Sequence, residues 1–191
     1  MPHPLLATLV TSCLAAGAAQ AQEVRYRIDP SHSMVIFEAS HFGVSTNRGR
    51  FDRKEGAVIL DRAAKTGKVE INIDMASLST GVAAFDTHLK GGDFFNVEQF
   101  PRARFVGDQF VFSGDKVASV SGTLVMLGKS APVTLTAIRY GCYEHPMLQR
   151  EVCGGDFEAT LQRSAWGIRY GLPAITPDNV RLLVQVEAIR Q

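Results

Sequence analysis

An apolar–polar alternation with a period of two runs through this chain from Val24 onward. In "KVEINID", the residues Val69, Ile71 and Ile73 alternate with polar ones, which is typical of a strand with one face in a core. The same pattern recurs in other segments, namely "SHSMVIFEAS", "GAVILD", "RARFVGDQFVF", "VSGTLVM", "PVTLTAIRYG", "GDFEATLQR" and "NVRLLVQVEAIR". The alternation therefore predicts about eight strands.

A chain with this pattern belongs to the all-β class. Its antiparallel strands can form either a sandwich or a closed barrel, and closure removes exposed strand edges. A barrel of about eight strands is just wide enough to enclose one slim ligand. One short helix is predicted from Ala83 to Lys90, and "YGLPAITPDNV" is predicted to be a long loop before the final strand.

The N-terminal residues have the features of an export signal. The apolar run from Leu5 to Ala19 is followed by small residues, and Ala19-Gln20-Ala21 fits the rule for signal peptidase. The alternative is a buried N-terminal helix, but nothing amphipathic surrounds the run. We expect residues 1–21 to be a signal peptide cleaved after Ala21, which leaves residues 22–191 as one soluble, exported domain.

The charge balance excludes one class of partner. The chain has 20 basic and 19 acidic residues, for a formal net charge of +1. Phosphate backbones and anionic membrane surfaces attract proteins with a clustered positive excess. We therefore expect no nucleic-acid partner.

The cysteines are also consistent with export. Cys13 lies in the predicted signal, so the mature chain keeps only Cys142 and Cys153. A pair of cysteines in an oxidising compartment indicates a disulfide, here closing a hairpin-like excursion, "YEHPMLQREV". A redox-active pair is the alternative, but the CxxC spacing is absent.

The segment "FDTHLKGGDFFN" contains the predicted helix and its exit. Phe85 and Leu89 share one helix face, while Asp86 and Lys90 are spaced to pair with each other. Gly91-Gly92 is expected to end the helix by supplying positive φ. Phe94 and Phe95 would then return to the sheet, so that the segment covers a barrel with aromatic side chains.

His88 in this segment has two interpretations. Histidine titrates near neutrality, so His88 can be a general base if Asp86 or Asp93 orients it. No nucleophile signature such as GxSxG lies nearby. The favoured interpretation is a histidine that bonds to a loop carbonyl.

The histidines do not indicate a metal site. His32, His41, His88 and His145 show no HxH, HExxH or similar spacing. No metal, cofactor or catalytic residue is therefore predicted.

Large apolar residues are frequent in loops and at strand ends. A solid-cored barrel needs the same residues, so that alternative stays open. The clustering of Phe94, Phe95, Trp166 and Tyr170 beside glycine-rich turns favours a cavity, because ligand sites at barrel mouths are lined by aromatics.

Four motifs carry a family resemblance. They are "DPSHSMVIFEASHFGVSTNRGRF", "HLKGGDFFNVEQFPRARF", "SGTLVMLGKSAPVTL" and "QRSAWGIRYGLP". In this order, across nearly the whole mature chain, the sequence resembles the YceI-like family of bacterial exported lipid-binding proteins. It departs from the family's "RSD(F/W)G" motif at Ala165, where an acidic residue is usual, and any contact made by that carboxylate is lost.

The resemblance implies an eight-stranded antiparallel lipocalin-like β-barrel in the periplasm that encloses an apolar tunnel. Its ligand would be a polyisoprenoid or another long-chain lipid, and some members are dimers. Asp29, His32, Ser33 and His41 would hold turns and strand ends. The residues expected to bind the ligand are Phe37, Phe42, Phe51, Phe85, Leu89, Phe94, Phe95, Phe105, Met126, Trp166, Tyr170 and His88.

The favoured function is a carrier or reservoir rather than an enzyme. An isoprenoid quinone, a polyprenol or a fatty amide would bury its tail in the barrel, with His88, Asn96 or Tyr170 bonded to its head group. Gly91-Gly92 would act as a hinge for entry. Two other classes stay open: an enzyme using His88 or His41 as acid or base, and a solid-cored module that docks on a membrane redox or transport protein.

Overall fold

The computed structural model describes residues 22–191, and the predicted signal peptide lies outside the described residues. The described chain is mostly β-strand, with one short α-helix. The elements are β1 (Val24–Ile28), β2 (Met34–His41), β3 (Ser45–Phe51), β4 (Lys54–Asp61), β5 (Thr66–Asp74), β6 (Leu78–Ser79), α1 (Ala83–Lys90), β7 (Arg102–Ser113), β8 (Lys116–Met126), β9 (Lys129–His145), β10 (Arg150–Gln162) and β11 (Asn179–Arg190). Two 3₁₀ turns, Met75–Ser77 and Arg163–Trp166, follow β5 and β10.

The sheet closes into a barrel. Its ring has the order β1-β4-β5-β7-β8-β9-β10-β11, and β1 pairs back onto β11. Every neighbouring pair in this ring is antiparallel. The predicted all-β, eight-stranded antiparallel barrel with one short helix is confirmed.

Three further strands extend the wall at one end of the barrel. The edge of β11 that faces away from β10 is shared, because Ala188–Arg190 pair with β1 and Arg181–Gln185 pair with β2. β2 continues into β3 and β3 into β6. Since β6 leads directly to α1, this extension and the helix surround the same end of the barrel.

All eight alternating segments coincide with strands, but β1, β3 and β6 were not among them. The alternation did not predict β3, "STNRGRF", because its side chains are mostly polar. Its inward positions near the end are Gly49 and Phe51, of which only one has a side chain. Gly49 is required there because a Cβ would overlap the ring of Phe37 on β2.

Helix α1 has the predicted bounds, but its ends differ from expectation. Gly91 has a φ of −75°, so the predicted positive φ at Gly91-Gly92 is wrong. The helix ends with the Gly91 N–H bonded to the carbonyl of His88, and positive φ occurs later, at Asn96 (φ 41°). The chain reverses through the "FFN" part of the loop rather than at the glycines.

The predicted pairing of Asp86 with Lys90 is also wrong. The Asp86 Oδ1 atom instead accepts hydrogen bonds from the backbone N–H and the hydroxyl of Thr80, both at 2.6 Å. Gly81, with a φ of 82°, makes the turn between these residues. The Thr80 hydroxyl and N–H hold the pKa of Asp86 below its usual value, so this carboxylate fixes the start of the helix.

The predicted disulfide between Cys142 and Cys153 is present, and it joins opposite residues of the β9–β10 hairpin. His145 shapes the tip of that hairpin, because its Nδ1 accepts from the N–H groups of Met147 and Leu148. None of the helical segments in the described part of the chain has the length and apolarity needed to cross a membrane.

Candidate ligand cavity

The half of the barrel next to α1 contains a cavity of about 390 Å³, within the ~300–1,000 Å³ range of small-molecule sites. Its lining is almost wholly apolar. All twelve residues expected from the sequence line it: Phe37, Phe42, Phe51, Phe85, Leu89, Phe94, Phe95, Phe105, Met126, Trp166, Tyr170 and His88. The structure therefore brings these residues together, and excludes a solid core at this end of the barrel.

The cavity opens between the β2–β3 turn, α1 and the loop before β11. Two of its lining residues, Phe42 and Tyr170, remain 60% and 46% exposed. The N–H of Phe42 donates to the carbonyl of Ile175 at 2.7 Å, which ties the turn to the loop. A ligand entering here would meet aromatic side chains first.

His88 lies at this opening, but without the predicted bond to a loop carbonyl. Its ring is edge-on to Phe94 and Tyr170, with centroids 5.0 and 5.1 Å apart, and no hydrogen bond to a carbonyl is present within residues 22–191. Asp86, which was considered as its orienting carboxylate, is taken by Thr80. His88 is therefore an exposed residue whose ring contacts two aromatic side chains at the cavity opening.

The lid segment, which we define as Ala83 to Asn96, covers one end of the barrel. It is also anchored by contacts inside the barrel. The ring of Phe95 packs against Phe37 and Phe51, at centroid distances of 6.2 and 5.6 Å. The Phe95 N–H also donates to the carbonyl of Leu89. Asn96 was expected to meet a head group, and this is wrong: its amide donates to Gln99 and it is not among the lining residues.

Trp166 forms the cavity wall rather than its rim. The side chain is only 3% exposed, and its indole N–H donates to the carbonyl of Leu124 at 3.1 Å. The 3₁₀ turn that carries it ends at Gly167, which has a φ of 90°. The predicted cluster with Phe94 and Tyr170 at the mouth is therefore incorrect for Trp166, because the turn directs it inward.

Arg163 is a buried arginine that lines the cavity, and it was not among the residues predicted from the sequence. Its Nε donates to Pro177 O at 3.1 Å, and its Nη2 donates to Tyr170 O and Thr176 O at 2.9 and 3.0 Å. Burial lowers the pKa of Arg163, and Asp178 only partly opposes this. The only signal was its place in the motif "QRSAW", where an arginine beside a strand is ordinarily exposed.

Of the four polar motif residues expected to hold turns and strand ends, Asp29, His32 and Ser33 do so. His32 Nδ1 lies 2.7 Å from Asp29 Oδ2, and the Ser33 hydroxyl donates to Glu187 O. His41, at the end of β2, lines the cavity and lies edge-on to Phe42. The histidines are thus spread over separate turns and the cavity.

In the described residues, one group of side chains has the spacing of metal ligands, and it consists of Cys142, Glu151 and Cys153. Both cysteines are committed to the disulfide. Glu151 instead accepts from the Tyr26 hydroxyl at 2.6 Å and pairs with Arg62. This group closes the barrel end opposite α1.

A smaller cavity of about 70 Å³ lies toward that closed end. It shares four apolar lining residues with the larger one, namely Ile71, Phe105, Leu135 and Val184. The two cavities therefore follow one another along the barrel, separated by a layer of apolar side chains.

Comparison with known proteins agrees with the fold. The profile of the YceI-like domain matches residues 26–188. A UPF0312 protein of Pseudomonas aeruginosa is 33% identical over 189 residues, covering 97% of each chain. The match reaches the whole barrel and both sides of the cavity mouth.

Two solved structures share the architecture. BcnA of Burkholderia cenocepacia superposes with a TM-score of 0.68 at 23% identity, covering 84% of this chain and 98% of that one. A polyisoprenoid binding domain from Saccharophagus degradans superposes with a TM-score of 0.62 at 14% identity, covering 87% and 98% of the two chains.

Proposed function

Because this chain belongs to the YceI-like family, we propose that it is a lipid-binding protein that holds a polyisoprenoid or similar amphiphilic chain in its barrel. An isoprenoid quinone, a polyprenol and a fatty amide are ligands of this kind. The protein acts as a carrier or reservoir in the periplasm, and a membrane protein donates or accepts the lipid.

The observation that carries this proposal is the apolar cavity itself. A space of about 390 Å³ with phenylalanine, leucine and isoleucine walls is a costly feature in a protein interior. A tail that enters it leaves water, which contributes about 25 cal/mol per Å² of apolar surface buried. Long tails therefore bind without any chemical step.

The related domain from Saccharophagus degradans, which binds polyisoprenoid, has the same architecture. This likeness supports a chain-like ligand. The enzyme alternative lacks support, since the ring of His88 lies edge-on to Phe94 and Tyr170 and the carboxylate of Asp86 is bonded to Thr80.

The experiment is native mass spectrometry of the protein from an exported fraction, followed by solvent extraction. We expect an adduct of lipid mass that disappears on extraction. A bare polypeptide that also takes up no added prenyl lipid would contradict the proposal.

A cavity-filling variant links binding to the cavity. Ala103 on β7 is buried and lines it, so Ala103→Phe would place a ring where the tail lies. Val111→Phe on the same strand is the matched control, because Val111 is exposed. We expect the first variant to lose the adduct and the second to keep it.

A further inference from the structure

The guanidinium of Arg163 is only partly bonded. The residue is 6% exposed and lines an otherwise apolar cavity. Its Nε and Nη2 donate to three loop carbonyls. Within residues 22–191, Nη1 is buried and has no hydrogen-bond partner. A buried donor left without a partner destabilises the fold, and more so when it belongs to a charged group.

The positive charge of Arg163 is also unbalanced. Carbonyl oxygens satisfy its donors, but they carry no net charge. Asp178 is the carboxylate that acts on it, at longer range than an ion pair, and both Asp178 oxygens accept from Ser164, at 2.8 and 2.6 Å. A buried cation of this kind is stabilised by an anion that enters with a ligand.

The planar shape of the guanidinium determines where such an anion can bind. Nε and Nη2 form one edge of the group, and the loop carbonyls occupy that edge. Nη1 lies on the edge away from these carbonyls. Arg163 is also one of the residues that line the cavity.

We infer that Arg163 anchors the head group of the bound lipid, and that this head group is an anionic oxygen group, a phosphate or a carboxylate, that accepts from Nη1. The inference rests on the proposed function. It replaces the neutral quinone, polyprenol and amide with an acidic amphiphile, whose tail would lie in the apolar cavity. Prenyl phosphates and fatty acids both have this chemistry.

Matched lipids test the inference. Trp166 is the only tryptophan and lines the cavity, so its fluorescence reports occupancy. Lipid-free protein is titrated with geranylgeranyl phosphate and geranylgeraniol, and with hexadecanoate and hexadecanol. We expect the acidic member of at least one pair to bind about tenfold or more tightly, as a charge-assisted hydrogen bond provides. The lipid pair with the larger ratio of acid to alcohol affinity shows whether the anionic group is a phosphate or a carboxylate.

Two variants localise the effect. Arg163→Gln should bring the ratio of acid to alcohol close to one, while Arg169→Gln, which removes an exposed charge from the same loop, should leave it unchanged. Equal affinities for acid and alcohol in the unaltered protein would overturn the inference and leave tail binding intact. A ratio that survives Arg163→Gln would also overturn it. If none of the four lipids binds, the proposed function fails too.

Arg163 also holds the loop, so the variant can fail to fold. In that case the inference is still tested by the ratio of acid to alcohol affinities in the unaltered protein, together with nuclear magnetic resonance of ¹⁵N-arginine. Addition of the acidic lipid should shift one buried Nη signal, and the matched alcohol should not. An unshifted spectrum at saturation would contradict the anchor.

Discussion

The ring of Phe95 in the lid segment lies edge-on to the ring of Phe51 on β3, with centroids 5.6 Å apart and planes at 80°. This contact joins two parts of the chain that are distant in sequence, at a point inside the cavity. Opening the lid therefore requires the separation of an aromatic pair, which is worth about 0.5–1.5 kcal/mol beyond its buried area.

Replacing Phe95 with alanine should loosen the lid. We expect the free energy of unfolding to fall by about 2 kcal/mol, less than for a fully buried phenylalanine, and lipid release to become faster. Hydrogen exchange over residues 91–97 should accelerate. Phe112→Ala is the control, because Phe112 is also half-buried but stacks on Phe110, and neither residue lines the larger cavity. Equal rates of hydrogen exchange over residues 91–97 in the two variants would contradict a role for Phe95 in holding the lid segment closed.

Trp166 should be important for folding as well as for binding. Because it is 3% exposed and bonded to Leu124 O, Trp166→Ala should lower the free energy of unfolding by about 3–5 kcal/mol. Trp166→Phe keeps most of the apolar contact, and should cost only about 1–2 kcal/mol. Urea titrations followed by circular dichroism measure both values, since the fluorescence probe is removed. Equal losses of unfolding free energy in Trp166→Ala and Trp166→Phe would mean that the apolar contact of the indole does not form the cavity wall.

The alternating pattern was sufficient to predict an all-β fold, because inward residues such as Val69, Ile71 and Ile73 must share a face. The eight-stranded lipocalin-like barrel was predicted from the resemblance to the YceI-like family, since the alternation alone also fits a sandwich. The cavity residues were predicted from the motif aromatics. The burial of Arg163 was not predicted, because it depends on backbone carbonyls of a loop more than six residues away in sequence. Asp86 was misjudged for a similar reason: helical spacing pointed to Lys90, while a turn at Gly81 brought Thr80 closer.

The disulfide should contribute to stability without affecting the lipid. It closes a loop with a sequence separation of 11 residues, for which chain entropy gives about 3 kcal/mol. The double variant Cys142→Ala with Cys153→Ala should lose up to this amount in urea. Its affinity for a prenyl lipid should be unchanged, since neither cysteine lines the larger cavity. A weakened affinity would indicate that the two barrel ends are coupled.

The pair formed by His32 and Asp29 should make stability depend on pH. Burial acts to raise the pKa of Asp29, but hydrogen bonds from His32 and Ser31 outweigh it and lower that pKa to about 2. The hydrogen bond to Asp29 raises the pKa of His32. The contribution of His32 is then complete below its unfolded pKa of about 6.5 and is lost as pH rises through its raised value. The contribution of Asp29 is lost as pH falls toward 2.

We expect His32→Gln to be destabilising between about pH 4 and pH 6.5, and nearly neutral at pH 9. Urea unfolding of the protein and the variant at pH 5.5 and 9 measures the difference. In an Asp29→Asn background, the pH-dependent effect of His32→Gln should be much smaller, because the hydrogen bond to Asp29 is the largest cause of the raised His32 pKa and Glu187 contributes least. A constant difference across pH would show that His32 acts through packing alone.

The shared edge of β11 also determines the order in which the barrel can form. Its last residues pair with β1 and its first residues with β2, while β10 covers the opposite edge. These are the most distant contacts in the sequence, and closing such long loops is slow. Until residues 179–190 are available, three strands have an unpaired edge. The C-terminal strand therefore completes the fold, and a chain that ends before Asn179 would expose strand edges that favour aggregation.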